Sequence, residues 1–174
     1  MKINPFIITC MLLLACVTRS RSQFADFKEL AGKYLYKADS SSVLSDETLH
    51  GKTYLVLLFS ASYCGPCKEY VRELKDIYAN NLGGENWEVV FVSTDKSREN
   101  MFAYMRDLGM PWLAAEYDAT PILPKIREHY TGSESGIPRL VVINAEGTIV
   151  LQNGTLGKTF AGFEQHAAIK NFAH

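Results

Sequence analysis

The spacing of apolar and polar positions changes several times along the 174 residues. Residues 54–59 are an unbroken apolar run of strand length, and residues 87–93 are nearly so. Runs without alternation read as central strands, buried on both faces and parallel. Between them Tyr70, Val71, Leu74, Ile77 and Tyr78 recur at helical spacing, with Lys68, Glu69, Arg72, Glu73, Lys75 and Asp76 on the opposite face. This predicts an amphipathic helix ending near residues 80–84. Ser97 is placed to cap a second helix through Leu108, with Met101, Phe102 and Met105 on its apolar face and Gly109 at its end. Residues 34–36 read as an edge strand, 110–117 as a short extended piece, and 122–130 as a helix broken at its start by Pro121 and Pro124. Residues 139–143 and 148–151 form a hairpin across Asn144-Ala145-Glu146-Gly147, and Phe160, Phe163 and Ala167 share one face of a closing helix. Residues 24–33 fit a short helix or an arm, and the polar stretch 38–52 reads as loop and turn. Strands alternating with helices predict an α/β domain, a mixed sheet with a parallel centre, an antiparallel final hairpin and helices on both faces.

One junction in this pattern carries chemistry. The strand 54–59 runs into Ser60-Ala61-Ser62-Tyr63-Cys64-Gly65-Pro66-Cys67, and the helix begins there. The first turn of a helix has unpaired N–H groups and the positive end of the helix dipole. A Cys64 thiolate at that end is stabilised, and its pKa falls below the ordinary thiol range. Cys67 lies nearly one turn on, close enough to close a small disulfide ring. Pro66 suits an early helical position, where a missing N–H costs nothing, and Gly65 leaves the Cys64 sulfur open to approach. The predicted cycle is dithiol–disulfide exchange: Cys64 attacks a substrate disulfide, and Cys67 resolves the mixed disulfide. A structural disulfide is the first alternative, although so short a loop gains little from cross-linking. A zinc site would need two further ligands, and the sequence offers no second cysteine pair, only the scattered His50, His129, His166 and His174.

Three segments together resemble the thioredoxin superfamily, and more narrowly its tryparedoxin/nucleoredoxin branch: Phe59 to Cys67, then Met110-Pro111-Trp112-Leu113-Ala114, then Gly136-Ile137-Pro138-Arg139-Leu140-Val141-Val142. The chain departs from that branch at Tyr63, where a Trp is usual, and at Gly65-Pro66, which is the thioredoxin pair where tryparedoxins have Pro-Pro. The resemblance implies a thioredoxin fold and a cis-proline at Pro138 beside the cysteines. That proline would leave the Ile137 backbone free to pair with an extended substrate and would block metal binding between the thiols. It implies a docking rim of Tyr63, Gly65, Pro66, Ile137 and Pro138, no metal or organic cofactor, and an upstream electron donor. Ordinary thioredoxins bury an Asp six residues before the first cysteine; here Leu58 stands there. Asp95, just past the strand 87–93, is a candidate proton relay for Cys67, with a loop or helix-capping aspartate as the alternative. Trp112 is a candidate for the substrate surface or for the core. A binding or folding-assistance module without turnover, and a thiol peroxidase, are the competing functions. The peroxidase lacks its Pro-x-x-x-Thr-x-x-Cys context, because Leu57, Ala61 and Cys64 occupy those positions.

The N-terminal stretch changes the picture of where this chemistry takes place. Residues 1–22 read as a signal peptide: Lys2 is followed by a mostly apolar run over residues 6–17, too short for a comfortable membrane span. Leu13-Leu14-Ala15-Cys16 resembles a bacterial lipobox, which would make Cys16 the lipidated first residue. Ser20-Arg21-Ser22 offers ordinary cleavage before Gln23 instead, leaving residues 23–174 as the thioredoxin-like domain. With Cys10 and Cys16 in the leader, Cys64 and Cys67 are the thiols of the folded domain. A lone Cys-x-x-Cys in an exported chain points to redox turnover, not to a stapled scaffold. The expected location is therefore the periplasm, a membrane by a lipid anchor, or the medium. Composition is that of a globular domain, with 47% hydrophobic and 21% charged residues. The formal charge of −1 shows no nucleic-acid footprint, and loss of Lys2, Arg19 and Arg21 with the leader moves it to −4. Asn153-Gly154-Thr155 is formally a glycosylation sequon and by default a turn.

Overall fold

The computed structural model describes residues 23–79, 86–117, 122–132 and 136–152. The leader with Cys16, the sequon and the closing helix lie outside these residues. The chain order is α1 (Ala25–Ala31), β1 (Tyr34–Tyr36), β2 (Ser42–Leu44), α2 (Ser45–Leu49), β3 (Tyr54–Ser60), α3 (Gly65–Ile77), β4 (Trp87–Ser93), α4 (Arg98–Leu108), β5 (Leu113–Ala115), α5 (Ile122–Thr131), β6 (Arg139–Asn144) and β7 (Ile149–Gln152).

The strands form one seven-stranded sheet in the order β2-β1-β5-β4-β3-β6-β7. β3 pairs parallel with β4 and antiparallel with β6, β4 pairs parallel with β5, and β6 returns as a hairpin into β7. The predicted parallel centre and antiparallel final hairpin are both present. β3 is buried along its whole length, as an unalternating apolar run requires when helices cover both faces. Successive side chains point to opposite faces. Val56 and Leu58 therefore join Val71, Leu74, Met101, Phe102 and Met105 of α3 and α4 in one core cluster. Leu55, Leu57 and Phe59 join Phe27 of α1 and Ile126 and Tyr130 of α5 in the other.

Two local expectations change. Residues 34–36 form a strand, but not at the sheet edge: β2 pairs with it outside, in the register Leu35↔Val43. The stretch 38–52 holds that strand and the short helix α2, not loop alone. Both are too short, at 3 and 5 residues, to show a period in sequence. For residues 24–33 the helix is the alternative that forms, as α1. Trp112 is a core residue, 2% exposed, with its ring edge-on to Tyr78 at 5.6 Å.

Candidate active site

β3 delivers the chain to Ser60 at the sheet's end, and α3 starts five residues later. Cys64 is the N-cap of α3, with extended backbone (φ −91°, ψ 107°), and its Sγ accepts from the Cys67 N–H at 3.3 Å. One of the orphan N–H groups of the first turn is thus aimed at the sulfur. That turn carries no acidic residue to oppose the dipole. Pro66 lies within it, as its missing N–H permits. Cys64 and Cys67 are joined by a disulfide with Cα atoms 5.2 Å apart, within the span a disulfide accepts. The two sulfurs are not equivalent. Cys67 is fully buried while Cys64 is partly exposed, so an incoming thiol or disulfide meets Cys64.

Of the residues predicted as a docking rim, Tyr63, Gly65 and Pro66 flank Cys64 along the chain and Ile137 lies across from it. Gly65 and Pro66 are exposed, and a Cβ built on Gly65 would meet nothing within 4 Å. Tyr63 is 63% exposed and donates from its hydroxyl to the Thr94 carbonyl at 3.2 Å. The Ile137–Pro138 peptide is cis, as the resemblance implies, and the Ile137 carbonyl oxygen lies 3.8 Å from Cys64 Sγ. β6 carries this loop beside β3, with Phe59 opposite Arg139.

Asp95 sits next to the site but binds the loop. It is 6% exposed. Its Oδ1 accepts from the Ser62 N–H at 2.8 Å and from the Ser62 hydroxyl at 2.5 Å, and its Oδ2 accepts from the Ser93 hydroxyl at 2.8 Å. Among the described residues the side-chain hydrogen bonds of Asp95 go to Ser62 and Ser93 of the loop and strand end, and none joins it to a cysteine. α4 is capped by Ser97, whose Oγ accepts from the Asn100 N–H. Sequence reasoning missed Ser62, Thr94, Tyr104 and Tyr117. The Tyr117 hydroxyl donates to the Asp95 carbonyl at 3.0 Å, and Tyr104 and Ser60 share a buried hydroxyl pair at 3.0 Å. Burial pushes both phenols above the ordinary tyrosine range, with the Asp95 charge adding to it. Both remain protonated at neutral pH. The repeated hydroxyls of Ser60-Ala61-Ser62 were the one available signal, and nothing local says what they bind.

The comparisons with known proteins agree with this geometry. The family described as Thioredoxin-like matches residues 51–149. Probable nucleoredoxin 1 of Arabidopsis thaliana is 33% identical over 124 residues, covering 71% of this chain and 20% of the relative. Tryparedoxin of Trypanosoma brucei brucei is 34% identical over 119 residues, covering 68% of this chain and 78% of that one. A solved structure, tryparedoxin II complexed with glutathionylspermidine, superposes with a TM-score of 0.64 at 26% identity, covering 81% of this chain and 94% of the other. The chain spans only a fifth of the plant nucleoredoxin it matches. A match over more than half of the sequence, a Cys-x-x-Cys at a helix N-cap and a cis Ile137–Pro138 peptide whose Ile137 carbonyl faces the first sulfur lead to one assignment: the chain belongs to the thioredoxin-like family.

Proposed function

We propose that this chain is an exported thiol–disulfide oxidoreductase that reduces disulfides of protein or small-molecule substrates. The observation that carries the reading is the Cys67 N–H aimed at Cys64 Sγ, with that sulfur accessible and its partner buried. In the reduced chain the Cys64 thiolate attacks one substrate sulfur, and the other leaves as a thiolate. The Cys67 thiolate then attacks Cys64 Sγ, expelling the first substrate sulfur and leaving the Cys64–Cys67 disulfide. Two electrons pass to the substrate, and a donor reductase returns them in the next cycle. Ile137, with its carbonyl beside Cys64, and Tyr63 form the docking walls. The glutathionylspermidine complex of tryparedoxin II supports a small molecule as one class of ligand. Export is supported by the apolar run over residues 6–17, and Cys16 is the proposed lipidation point. Mass spectrometry of the mature N-terminus decides between a lipidated Cys16 and cleavage before Gln23.

Turnover is tested by insulin-disulfide reduction with dithiothreitol or a reductase as donor. The chain should accelerate the reaction and Cys64→Ser should abolish it, whereas equal activity in Cys64→Ser would overturn the mechanism. A chain that binds unfolded insulin without reducing it would establish the binding-module alternative.

A further inference from the structure

We propose that Asp95 is a positioning residue for the Cys64 sulfur, acting through Ser62. This deepens the reading above and rests on it. Asp95 is a buried carboxylate whose ligands lie on two separate parts of the chain. Ser93 fixes it from its own strand end, through Ser93 Oγ to Oδ2 and the Asp95 N–H back to Ser93 Oγ at 3.0 Å. The other oxygen takes both polar hydrogens of Ser62, 33 residues away in sequence. Hydrogen bonds to a charged acceptor are the strong ones, and two from one residue fix its orientation as well as its place. Ser62 is two residues before Cys64, and the Cys64 N–H closes the same turn onto the Ala61 carbonyl at 3.2 Å.

The consequence reaches the sulfur. Cys64 accepts the Cys67 N–H only while it holds the N-cap backbone geometry. Among the described residues most of the hydrogen bonds that hold the turn from Ser60 to Cys64 come from the segment just past β4: the Thr94 N–H and hydroxyl bond to the Ser60 carbonyl, the Tyr63 hydroxyl bonds to the Thr94 carbonyl, and Asp95 bonds to Ser62. Asp95 supplies the only charged member of this clasp. Among the described residues the phenols of Tyr104 on α4 and Tyr117 after β5 feel its charge, and both, with raised pKa, are neutral alongside it.

The test reads Cys64 directly and needs no disulfide substrate. In the full-length Cys67→Ser chain, the rate of iodoacetamide labelling of the Cys64 peptide is followed against pH by mass spectrometry. Asp95→Ala should raise the labelling midpoint by about half a pH unit and lower the rate at neutral pH about threefold, because the thiolate loses its aligned N–H. Asp95→Asn keeps an oxygen that can accept both Ser62 hydrogens, and its midpoint should stay at the parent value or below. An unmoved midpoint in a folded Asp95→Ala chain would overturn the proposal, as would a fall in both the Ala and Asn variants, which would show that the carboxylate acts on the thiolate by direct repulsion and not by holding the turn. If Asp95→Ala does not fold, Ser62→Ala decides. It loses the hydroxyl leg alone and should shift the midpoint in the same direction by less, and no shift would overturn the proposal. Failure of the wild-type chain to reduce insulin would sink the proposed function while leaving this measurement readable.

Discussion

Tyr63 holds a large ring at the site's edge with its hydroxyl tied to the Thr94 carbonyl. A side chain so exposed contributes little to folding, and its area is available to a docking partner. Tyr63→Ala should therefore raise the KM for insulin several-fold, on the order of 1 kcal/mol of lost docking. Its kcat and melting temperature should hardly change; a fall in kcat alone at constant KM would show that the ring acts on the chemistry and not on docking. The cysteine pair at a helix start was legible from residue type and spacing, and the cis-proline at Pro138 from the resemblance to the thioredoxin superfamily. Asp95 was legible only as a polar residue at a strand end. Its role depends on Ser62, and a bond across 33 residues leaves no local mark on either segment. Leu58, in the place where ordinary thioredoxins bury an aspartate, is fully buried among apolar neighbours.

At the scale of elements, β3 and β4 follow from their unalternating apolar runs and α3 and α4 from helical period, since each is long enough to show its pattern. β2 and α2 do not, because their apolar residues are too few to set a period, and tertiary pairing with β1 decides the strand. β4 carries one group that opposes burial. Glu88 lies among its otherwise buried residues. Burial raises its carboxyl above the usual range, partly offset by the Val89 N–H, the Tyr78 hydroxyl and Lys52. The Tyr78 phenol, pushed up to about 12 mainly by burial, remains the donor. The folded chain thus keeps a proton on Glu88 at pH values where the unfolded chain has lost it. Stability falls as pH rises from the ordinary glutamate range through the raised folded value, and stays lowered above it. Glu88→Gln retains an acceptor for both donors and removes the charge. Thermal unfolding should show the variant about 2 °C more stable than the parent at neutral pH, with no difference near pH 3.5, below the unfolded glutamate pKa. A gain of equal size at both pH values would rule out ionisation as the cause.

For the whole molecule the open quantity is direction of electron flow. Gly65-Pro66 is the pair found between the cysteines of thioredoxin, whose potential is about −270 mV, against about −120 mV for a strongly oxidising exported enzyme. A very low cysteine pKa is what makes a disulfide oxidising. The described first turn gives Cys64 one aligned N–H and no histidine between the thiols. Equilibration with glutathione buffers, followed by alkylation, should give a midpoint nearer the first figure; one near the second would reverse the direction while leaving the role of Cys64 intact. The sheet order has a further consequence. β4, β3 and β6 lie side by side, and the segments holding Thr94 and Asp95, Ser62 to Cys64, and Ile137 and Pro138 all leave the same end of it. The Ser62 to Cys64 and Thr94–Asp95 segments are tied to each other by the Asp95–Ser62 and Tyr63–Thr94 bonds and change together, whereas the Ile137–Pro138 loop, carried by β6, can be exchanged without breaking that pair. On the proposed function, substrate choice can then be engineered through the Ile137–Pro138 loop, while the Asp95–Ser62 bonds keep the Cys64 sulfur in place.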